Sequence, residues 1–249
     1  MPRFPIIKLL NVRIDIVTWA DLINMVSLHI NKKEPLCLSY ANAHTLNLAA
    51  QHPKIGQLLN ASDITYCDGN GVRLAGRING VDIPERHTGA DWIWKLAQEA
   101  EKQNWSIFWL GNAPGLTDLA AKRLQQHFPK LHIETAHGFH KKTGQENDAI
   151  IARINAADCD ILLVGMGTPT QEQWIQSNKR NIKTPVLWAL GAAAEFVAQP
   201  RTRPGPDWLI THLEWVSRLW ANPRRLWKRY LIGNPAFLFR ITLERIQKE

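Results

Sequence analysis

The sequence contains little cysteine and no long apolar run. Its three cysteines, Cys37, Cys67 and Cys159, lie far apart and show no CxxC spacing. We interpret them as small core residues in a reducing compartment, because this pattern argues against a disulfide or zinc framework. No apolar stretch reaches about 18 residues, so we expect no membrane-spanning helix. The N-terminus has no run typical of a signal peptide, which predicts a cytoplasmic protein.

The histidines also lack metal-binding spacing, since neither HxxxH nor HExxH occurs, and we predict no metal site. Asp158-Cys159-Asp160 looks like the metal-binding DxD of many sugar-nucleotide transferases. However, it begins its predicted strand, which puts it at the sheet edge opposite the glycine-containing loops.

Acidic residues are fewer than basic ones, with 22 Asp and Glu against 30 Lys and Arg and a net charge of +8. Such a balance indicates an anionic partner: a phosphate-bearing substrate, an anionic lipid or nucleic acid. No helix-turn-helix, zinc-finger or RNA-binding pattern occurs, so we predict no nucleic-acid partner.

Short apolar runs alternate regularly with helical patterns along most of the chain. The clearest run is 160–164, and it does not alternate between polar and apolar residues. Strands of this kind are covered on both faces, which predicts an α/β fold with a mostly parallel, Rossmann-like sheet and helices on both faces. Thr18 with Asp21, and Thr88 with Asp91, predict capping boxes at two helix starts.

The composition changes near residue 200, where a basic, tryptophan-rich segment begins. Residues 201–249 hold ten Lys and Arg but four Asp and Glu, and four of the 11 tryptophans. We therefore predict an α/β catalytic domain over 1–198 and a helical appendage over 199–249, joined by a linker at 199–205. Two interpretations of its apolar residues stay open: docking on the core, or insertion into an anionic membrane surface. The predicted stripe is Leu209, Leu213, Val216 and Trp220.

Three loops follow strands and are expected at one edge of the sheet: 42–44, 68–71 and 165–171. Asp68 lies where a strand ends and a helix begins, at the edge where open α/β sheets bind ligands. The alternative is an ordinary Asp-Gly turn. Gly165-Met166-Gly167 would let backbone N–H groups approach a phosphate, but it lacks the third glycine of the dinucleotide fingerprint. That absence argues against an NAD-dependent oxidoreductase.

Taken together, these segments resemble the WecG/TagA/CpsF glycosyltransferases, and the resemblance covers nearly the whole chain. Several spaced motifs carry it in order. They are Asn42-Ala43, Asp68-Gly69-Asn70-Gly71-Val72, Arg86 through Asp91, Gly167 through Glu172, and a tail formed by 203–208, 213–215 and 223–225.

The resemblance implies an inverting, metal-independent transferase without a cofactor. It would move N-acetylmannosamine, its uronic acid or a glucose-type sugar from a UDP-sugar to a polyprenyl-pyrophosphate-linked saccharide in cell-wall or exopolysaccharide assembly. The enzyme would be peripheral on an anionic membrane surface at the inner face of the cell membrane. Family members are often oligomers, which leaves a homo-oligomer open.

The base aspartate of the family falls on Asp68. The expected substrate-binding residues come from the matched loops, the strand ends and the tail: Ser39, Tyr40, Asn42, Gly69, Asn70, Arg86, Asp91, Gly111, Gly165, Gly167, Gln171, Glu172, Arg218, Arg225 and Arg229. Gln171 could reach a sugar hydroxyl or cap its helix. The alternative function is a non-catalytic module that binds a nucleotide or anionic lipid.

The chain departs from the family pattern at two places. Some members carry a catalytic threonine two residues before the asparagine, where this chain has Tyr40 with Ser39 beside it. Residues 192–196 replace a glycine-rich G-x-F-D type segment. The first departure puts the role of that threonine in doubt and leaves a different donor sugar open, and the second leaves a different pocket wall open.

Overall fold

The structure, a computed structural model, describes residues 4–199, 214–221 and 223–247. The first half of the chain forms β1 (Ile6–Leu9), β2 (Val12–Asp15), α1 (Trp19–Lys32), β3 (Leu36–Ala41), α2 (Ala43–Gln51), α3 (Pro53–Asn60), β4 (Ile64–Cys67), α4 (Asn70–Ile78) and α5 (Gly89–Gln103). The second half forms β5 (Ser106–Gly111), α6 (Leu116–His127), β6 (His132–Ala136), α7 (Gln145–Ala156), β7 (Ile161–Gly165), α8 (Thr170–Asn178), β8 (Val186–Ala189) and α9 (Ala193–Ala198). The described part of the tail forms α10 (Glu214–Ala221), α11 (Pro223–Trp227), a π-helical turn (Lys228–Ile232) and α12 (Gly233–Ile246).

The strands form one eight-stranded sheet in the order β1-β2-β4-β3-β8-β7-β5-β6. The β1–β2 pair is an antiparallel hairpin, and the pairs from β2 to β6 across the sheet are parallel. The predicted mostly parallel α/β fold is therefore confirmed. Because the strands run the same way, the loops after β3, β4, β7 and β8 meet at one edge.

Apolar side chains from both faces of the sheet pack beneath helices. One face is covered by α1, α5, α6 and α9, and its core includes the stacked rings of Trp92 and Trp188, whose centroids are 4.3 Å apart. The other face is covered by α2, α3, α4, α7, α8 and α12. Because helices cover both faces of the sheet, the strand sequences are continuous apolar runs. The three cysteines are free and buried, as predicted.

The two predicted capping boxes differ in the structure. At α1, Thr18 and Asp21 form the predicted capping box. At α5, Thr88 is the N-cap residue but makes no side-chain cap hydrogen bond, so the second capping box was wrong. The Thr88 hydroxyl is buried without a partner among the described residues. Its side chain therefore does not satisfy the helix N–H groups in the way the sequence pattern suggested.

Strand β3 extends through Ala41, and α2 begins at Ala43. The reason is its central position, since Tyr40 and Ala41 pair with Tyr66 and Cys67 of β4. Tyr40 is consequently a strand residue with a fixed backbone.

The last helix packs against the α/β body. Phe237 and Ile241 of α12 are buried in the same core cluster as Leu46 and Val72. Polar contacts add to this packing, because Asn47 donates from Nδ2 to the Gly233 carbonyl at 2.7 Å and accepts from Arg240. The end of the tail is thus held by both apolar and polar contacts.

The proposed stripe on the appendage is only partly described. Leu209, Leu213 and the linker at 200–205 lie outside the described residues. Trp220 is 88% exposed, which argues against the interpretation in which it docks on the core. The division at residues 198 and 199 stays a prediction.

Candidate active site

A cavity of about 470 Å³ opens at the carboxyl edge of β3 and β4. We call it the main cavity. Its walls come from the loop after β3, from α4, from the segment before α5 and from the tail. Its lining includes Asn42, His44, Asp68, Asn70, Arg73, Arg86, Arg229, Tyr230 and Phe237. Residues distant in sequence thus share one site, as the parallel topology predicts.

Asp68 lies directly after β4, and Asn42 holds its carboxylate in place. The Asn42 side-chain oxygen caps α2 by accepting from the backbone N–H groups of His44 and Thr45 at 3.1 and 3.0 Å. The amide nitrogen of Asn42 is then left to donate to Asp68 Oδ2 at 3.0 Å. Because the cap fixes the orientation of the amide, Asn42 presents a hydrogen-bond donor to the carboxylate. The cap and the site therefore depend on each other.

Helix α4 turns a consistent face toward the main cavity. Asn70, Arg73, Leu74 and Arg77 line it at helical spacings of three and four residues. The helix starts after Gly69, whose φ of 104° lies in a region that glycine tolerates. Arg73 also lines the main cavity, although it is not one of the substrate-binding residues predicted from the sequence motifs. The i, i+3, i+4, i+7 spacing from Asn70 is the sequence signal that could have identified it.

The tail supplies the opposite wall, including Arg229 and Tyr230. Burial, and then the neighbouring positive charge of Arg229, lower the pKa of His44 to about 4. His44 is therefore neutral near pH 7. A neutral imidazole keeps one ring nitrogen as a hydrogen-bond acceptor. Of the pair formed by His44 and Arg229, Arg229 therefore carries the positive charge.

A buried polar network lies behind the cavity, across the ends of β3, β7 and β8. Gln171 is 0% exposed, and its amide oxygen accepts from the backbone N–H groups of Gly191 and Gly167 at 3.0 and 3.3 Å. Its amide nitrogen donates to the Tyr40 hydroxyl at 3.1 Å and to Glu172 Oε1 at 2.7 Å. Each end of the Gln171 amide is thereby assigned, and the residue links three strand ends.

Tyr40, at the position of the family threonine, takes part in this network. Burial raises the pKa of its phenol, and the charges of Glu172 and Asp68 raise it further. The phenol therefore stays protonated near neutral pH and is not suited to act as a base. A Cβ on Gly191 would lie 2.6 Å from the Tyr40 hydroxyl, so this tyrosine requires glycine there.

Glu172 is a buried carboxyl group without a cationic partner in the described structure. Its Oε1 accepts from Gln171 and from the Thr168 hydroxyl at 2.7 and 2.8 Å. Its Oε2 has no hydrogen-bond partner among the described residues. Burial raises the pKa of Glu172 despite these two hydrogen bonds. An acid in these surroundings favours its protonated form.

Glu172→Gln is expected to remain folded and to remove part of the pH dependence of stability. The folded-state pKa lies above the unfolded value, so the stability that Glu172 contributes is complete at low pH and is lost as pH rises through the folded pKa. The glutamine has no such proton to lose. Urea unfolding at a series of pH values measures this. The free energy of unfolding of E172Q, relative to that of wild type, should therefore increase with pH.

Glu172→Ala is the comparison for that experiment. It should lower the free energy of unfolding by about 1–3 kcal/mol, because Gln171 and Thr168 lose a buried acceptor. If E172Q were as unstable as E172A, the carboxyl group would not be acting as a neutral acceptor.

The structure places the remaining predicted residues in several surroundings. Gly69 and Asn70 line the main cavity, and Arg86 lines both it and an adjacent side groove of about 450 Å³ that also contacts Asp91. Ser39 is buried and shares a 2.8 Å hydrogen bond with Ser62, on the sheet face opposite Tyr40. Its expected substrate contact therefore has no support in its position.

Gly111 and Gly165 bring strand ends close together. A Cβ on Gly165 would lie 2.6 Å from the Gly191 carbonyl oxygen, and one on Gly111 would collide with the Gly165 backbone. Packing alone accounts for these two glycines. Gly167 has a φ of 81° and donates its N–H to Gln171.

Two predicted arginines are described only by their backbone. Arg218 lies on α10 and Arg225 on α11, and the side chains of both lie outside the described residues. Arg229 is the third predicted tail arginine, and its side chain, which is described, lines the main cavity. Within the described ranges, no group of three or more His, Cys, Asp or Glu side chains is arranged to hold a metal ion.

Comparison with known proteins agrees with the motifs. The family model for the glycosyl transferase WecG/TagA/CpsF family matches residues 7–249. Proteins from Staphylococcus aureus strains NCTC 8325 / PS 47 and COL are each 24% identical to this chain over 237 residues, covering 94% of this chain and 91% of theirs. Both carry the name N-acetylglucosaminyldiphosphoundecaprenol N-acetyl-beta-D-mannosaminyltransferase.

Proposed function

The chain belongs to the WecG/TagA/CpsF family of glycosyltransferases, and from this premise we propose which reaction it catalyses. It transfers a sugar of the N-acetylmannosamine class from a UDP-sugar to a saccharide carried on a polyprenyl diphosphate. The names of the S. aureus relatives support this choice of sugar and of lipid-linked acceptor. A polyprenyl-linked acceptor puts the reaction at a membrane surface, where we propose that the enzyme is peripheral on the cytoplasmic side.

The observation that carries the proposal is the position of Asp68 in the main cavity, with Asn42 donating to its carboxylate. We propose that Asp68 is the general base. It takes the proton of the acceptor hydroxyl as that oxygen attacks the anomeric carbon, and the bond to the UDP oxygen breaks on the opposite side. A single displacement of this kind inverts the anomeric configuration. One positioned carboxylate is sufficient for the proton transfer.

The leaving UDP carries negative charge that must be stabilised in the transition state. Arg86 and Arg229 line the main cavity, and the N-terminal end of α4 opens into it through Gly69 and Asn70. Guanidinium groups and a helix N-terminus both favour a diphosphate. We propose that these groups stabilise the diphosphate without a metal ion, which predicts full activity in excess EDTA.

The exposed surface of the tail supports a peripheral membrane position. Large apolar side chains lie beside basic ones there: Trp220, Trp227, Leu231, Ile232, Phe239 and Ile246 are exposed, with Arg224 and Lys228 among them. Such a mixture favours the surface of an anionic bilayer. In the part of the chain that the structure describes, no helix is long and apolar enough to span a bilayer.

The test is UDP release from a panel of UDP-sugars, with and without a short polyprenyl-diphosphate saccharide in detergent. We expect release that depends on the acceptor and is greatest with UDP-N-acetylmannosamine, with or without EDTA. Anomeric NMR of the product should show an inverted configuration. Release that needs a divalent metal, or a product of retained configuration, would contradict the proposed mechanism. If every donor were inert, the proposed reaction would be wrong for this chain.

A further inference from the structure

Arg73 is a half-buried cation without an ionic partner in the described structure. Its side chain makes one hydrogen bond, from Nε to the Ile83 carbonyl at 2.8 Å. No carboxylate among the described residues forms an ion pair with it. Arg77, one turn along α4, instead pairs with Asp82 at 3.5 Å. Partly buried charges are normally paired, so an unpaired guanidinium in a cavity wall indicates a missing anion.

The anchoring of Arg73 also restricts its direction. Because Nε donates to the Ile83 carbonyl, the orientation of the guanidinium is restrained, and its terminal nitrogens make no hydrogen bond among the described residues. Arg73 lines both the main cavity and the side groove, so it forms part of the wall between them. Thr88 and Arg86 line both spaces as well.

Arg73 lines the same cavity as the candidate base, Asp68. Burial raises the pKa of the Cys67 thiol and Asp68 adds to the rise, while Arg73 and Arg86 oppose it. These charges therefore act on the residue that immediately precedes Asp68. An anion held by Arg73 would lie near the point where the sugar is transferred.

We propose that Arg73 is a substrate-binding residue that holds a diphosphate group at the junction of the main cavity and the side groove. A fixed guanidinium suits two phosphate oxygens, which it can bind through parallel N–H groups. This inference rests on the proposed function, in which two diphosphates are present: that of the UDP donor and that of the lipid-linked acceptor. Arg73 binds through the chemistry common to both.

The experiment compares Arg73→Gln and Arg73→Lys with wild type in the full-length chain. Calorimetry measures the affinity for UDP and for inorganic pyrophosphate, and steady-state assays give KM for donor and acceptor. R73Q is expected to weaken diphosphate binding by about 10- to 100-fold, as expected for a lost charge-assisted hydrogen bond. R73K retains the charge but not the paired geometry, so an intermediate loss is expected.

Arg153→Gln is the matched control. Arg153 also donates to a backbone carbonyl, that of Thr135 at 2.7 Å, but does not line either space. Thermal unfolding with and without UDP separates binding from folding, because a ligand that binds the folded state raises its Tm. The rise should shrink in R73Q and persist in R153Q.

The outcomes separate the two diphosphates and the two hypotheses. Weaker UDP binding assigns Arg73 to the donor, whereas unchanged UDP binding with a raised acceptor KM assigns it to the acceptor. If R73Q matches R153Q in all these measurements, or wild type binds neither UDP nor pyrophosphate, the inference about Arg73 is wrong. If wild type binds UDP but transfers no sugar, the proposed function fails and the binding comparison still decides the role of Arg73.

Discussion

Asp68→Asn is expected to lower the turnover number by about 100- to 10,000-fold, the range typical of a lost general base. Asparagine has nearly the same shape, but it cannot take the proton of the acceptor hydroxyl. UDP affinity should change little, because we assign the diphosphate to the arginines and the N-terminus of α4. Acceptor-dependent UDP release measures turnover, and calorimetry measures UDP binding on the same preparations.

Asp82→Asn serves as the control for that experiment. Asp82 is an exposed carboxylate beyond the end of α4 whose side chain pairs with Arg77. D82N removes the same charge and should retain wild-type turnover. Substantial turnover by D68N would show that another group takes the proton. Equal inactivity of wild type and D68N, with UDP bound by both, would favour a binding module.

Phe237→Ala and Phe239→Ala are expected to affect different properties, although the two residues are only two positions apart on α12. Phe237 is 1% exposed and packs in the core, whereas Phe239 is 66% exposed. F237A should lower the free energy of unfolding by about 3–5 kcal/mol, because it leaves a cavity in the core. F239A should change stability by less than about 0.5 kcal/mol.

The same pair tests membrane binding. If Phe239 enters the bilayer surface, F239A should weaken binding to anionic vesicles by about 10- to 100-fold, following the free energy of burying one phenylalanine. Co-sedimentation with vesicles of anionic and of neutral lipid measures this, and added salt should weaken the anionic case. Wild-type binding by F239A would exclude this residue from the membrane contact.

Point variants are preferable to deleting the appendage. Removing 201–249 is expected to abolish membrane binding and turnover. However, α12 also covers Leu46 and Val72 of the body, so deletion would expose part of the core. Loss of activity in such a truncation would not distinguish a missing membrane contact from unfolding. The Phe237 and Phe239 variants make that distinction because they separate the two faces of the helix.

The location of the site was predictable because parallel strands end at a common edge. Asp68 and Asn42 were placed together on that ground, and their side chains are hydrogen-bonded. The role of Gln171 was less predictable. A glutamine in the first turn of a helix can face solvent, a ligand or the sheet, and only the packing of β8 beside β7 brings the Gly191 N–H to it.

The lack of an ionic partner for Arg73 was also not predictable from the local sequence. Local sequence predicts that it shares a helix face with Asn70, but not that no carboxylate pairs with it. Pairing depends on residues distant in the chain, and no local pattern reports their positions.

The amino-acid sequence is sufficient to establish the α/β class, the family and the edge at which Asp68 lies. These follow from local periodicity, from spaced motifs and from the common direction of parallel strands. The folded structure is needed to show which polar groups are buried together, which cations lack an ionic partner among the described residues and which face of α12 is covered. Burial and charge pairing are set by contacts between distant segments, and those contacts exist only once the chain has folded.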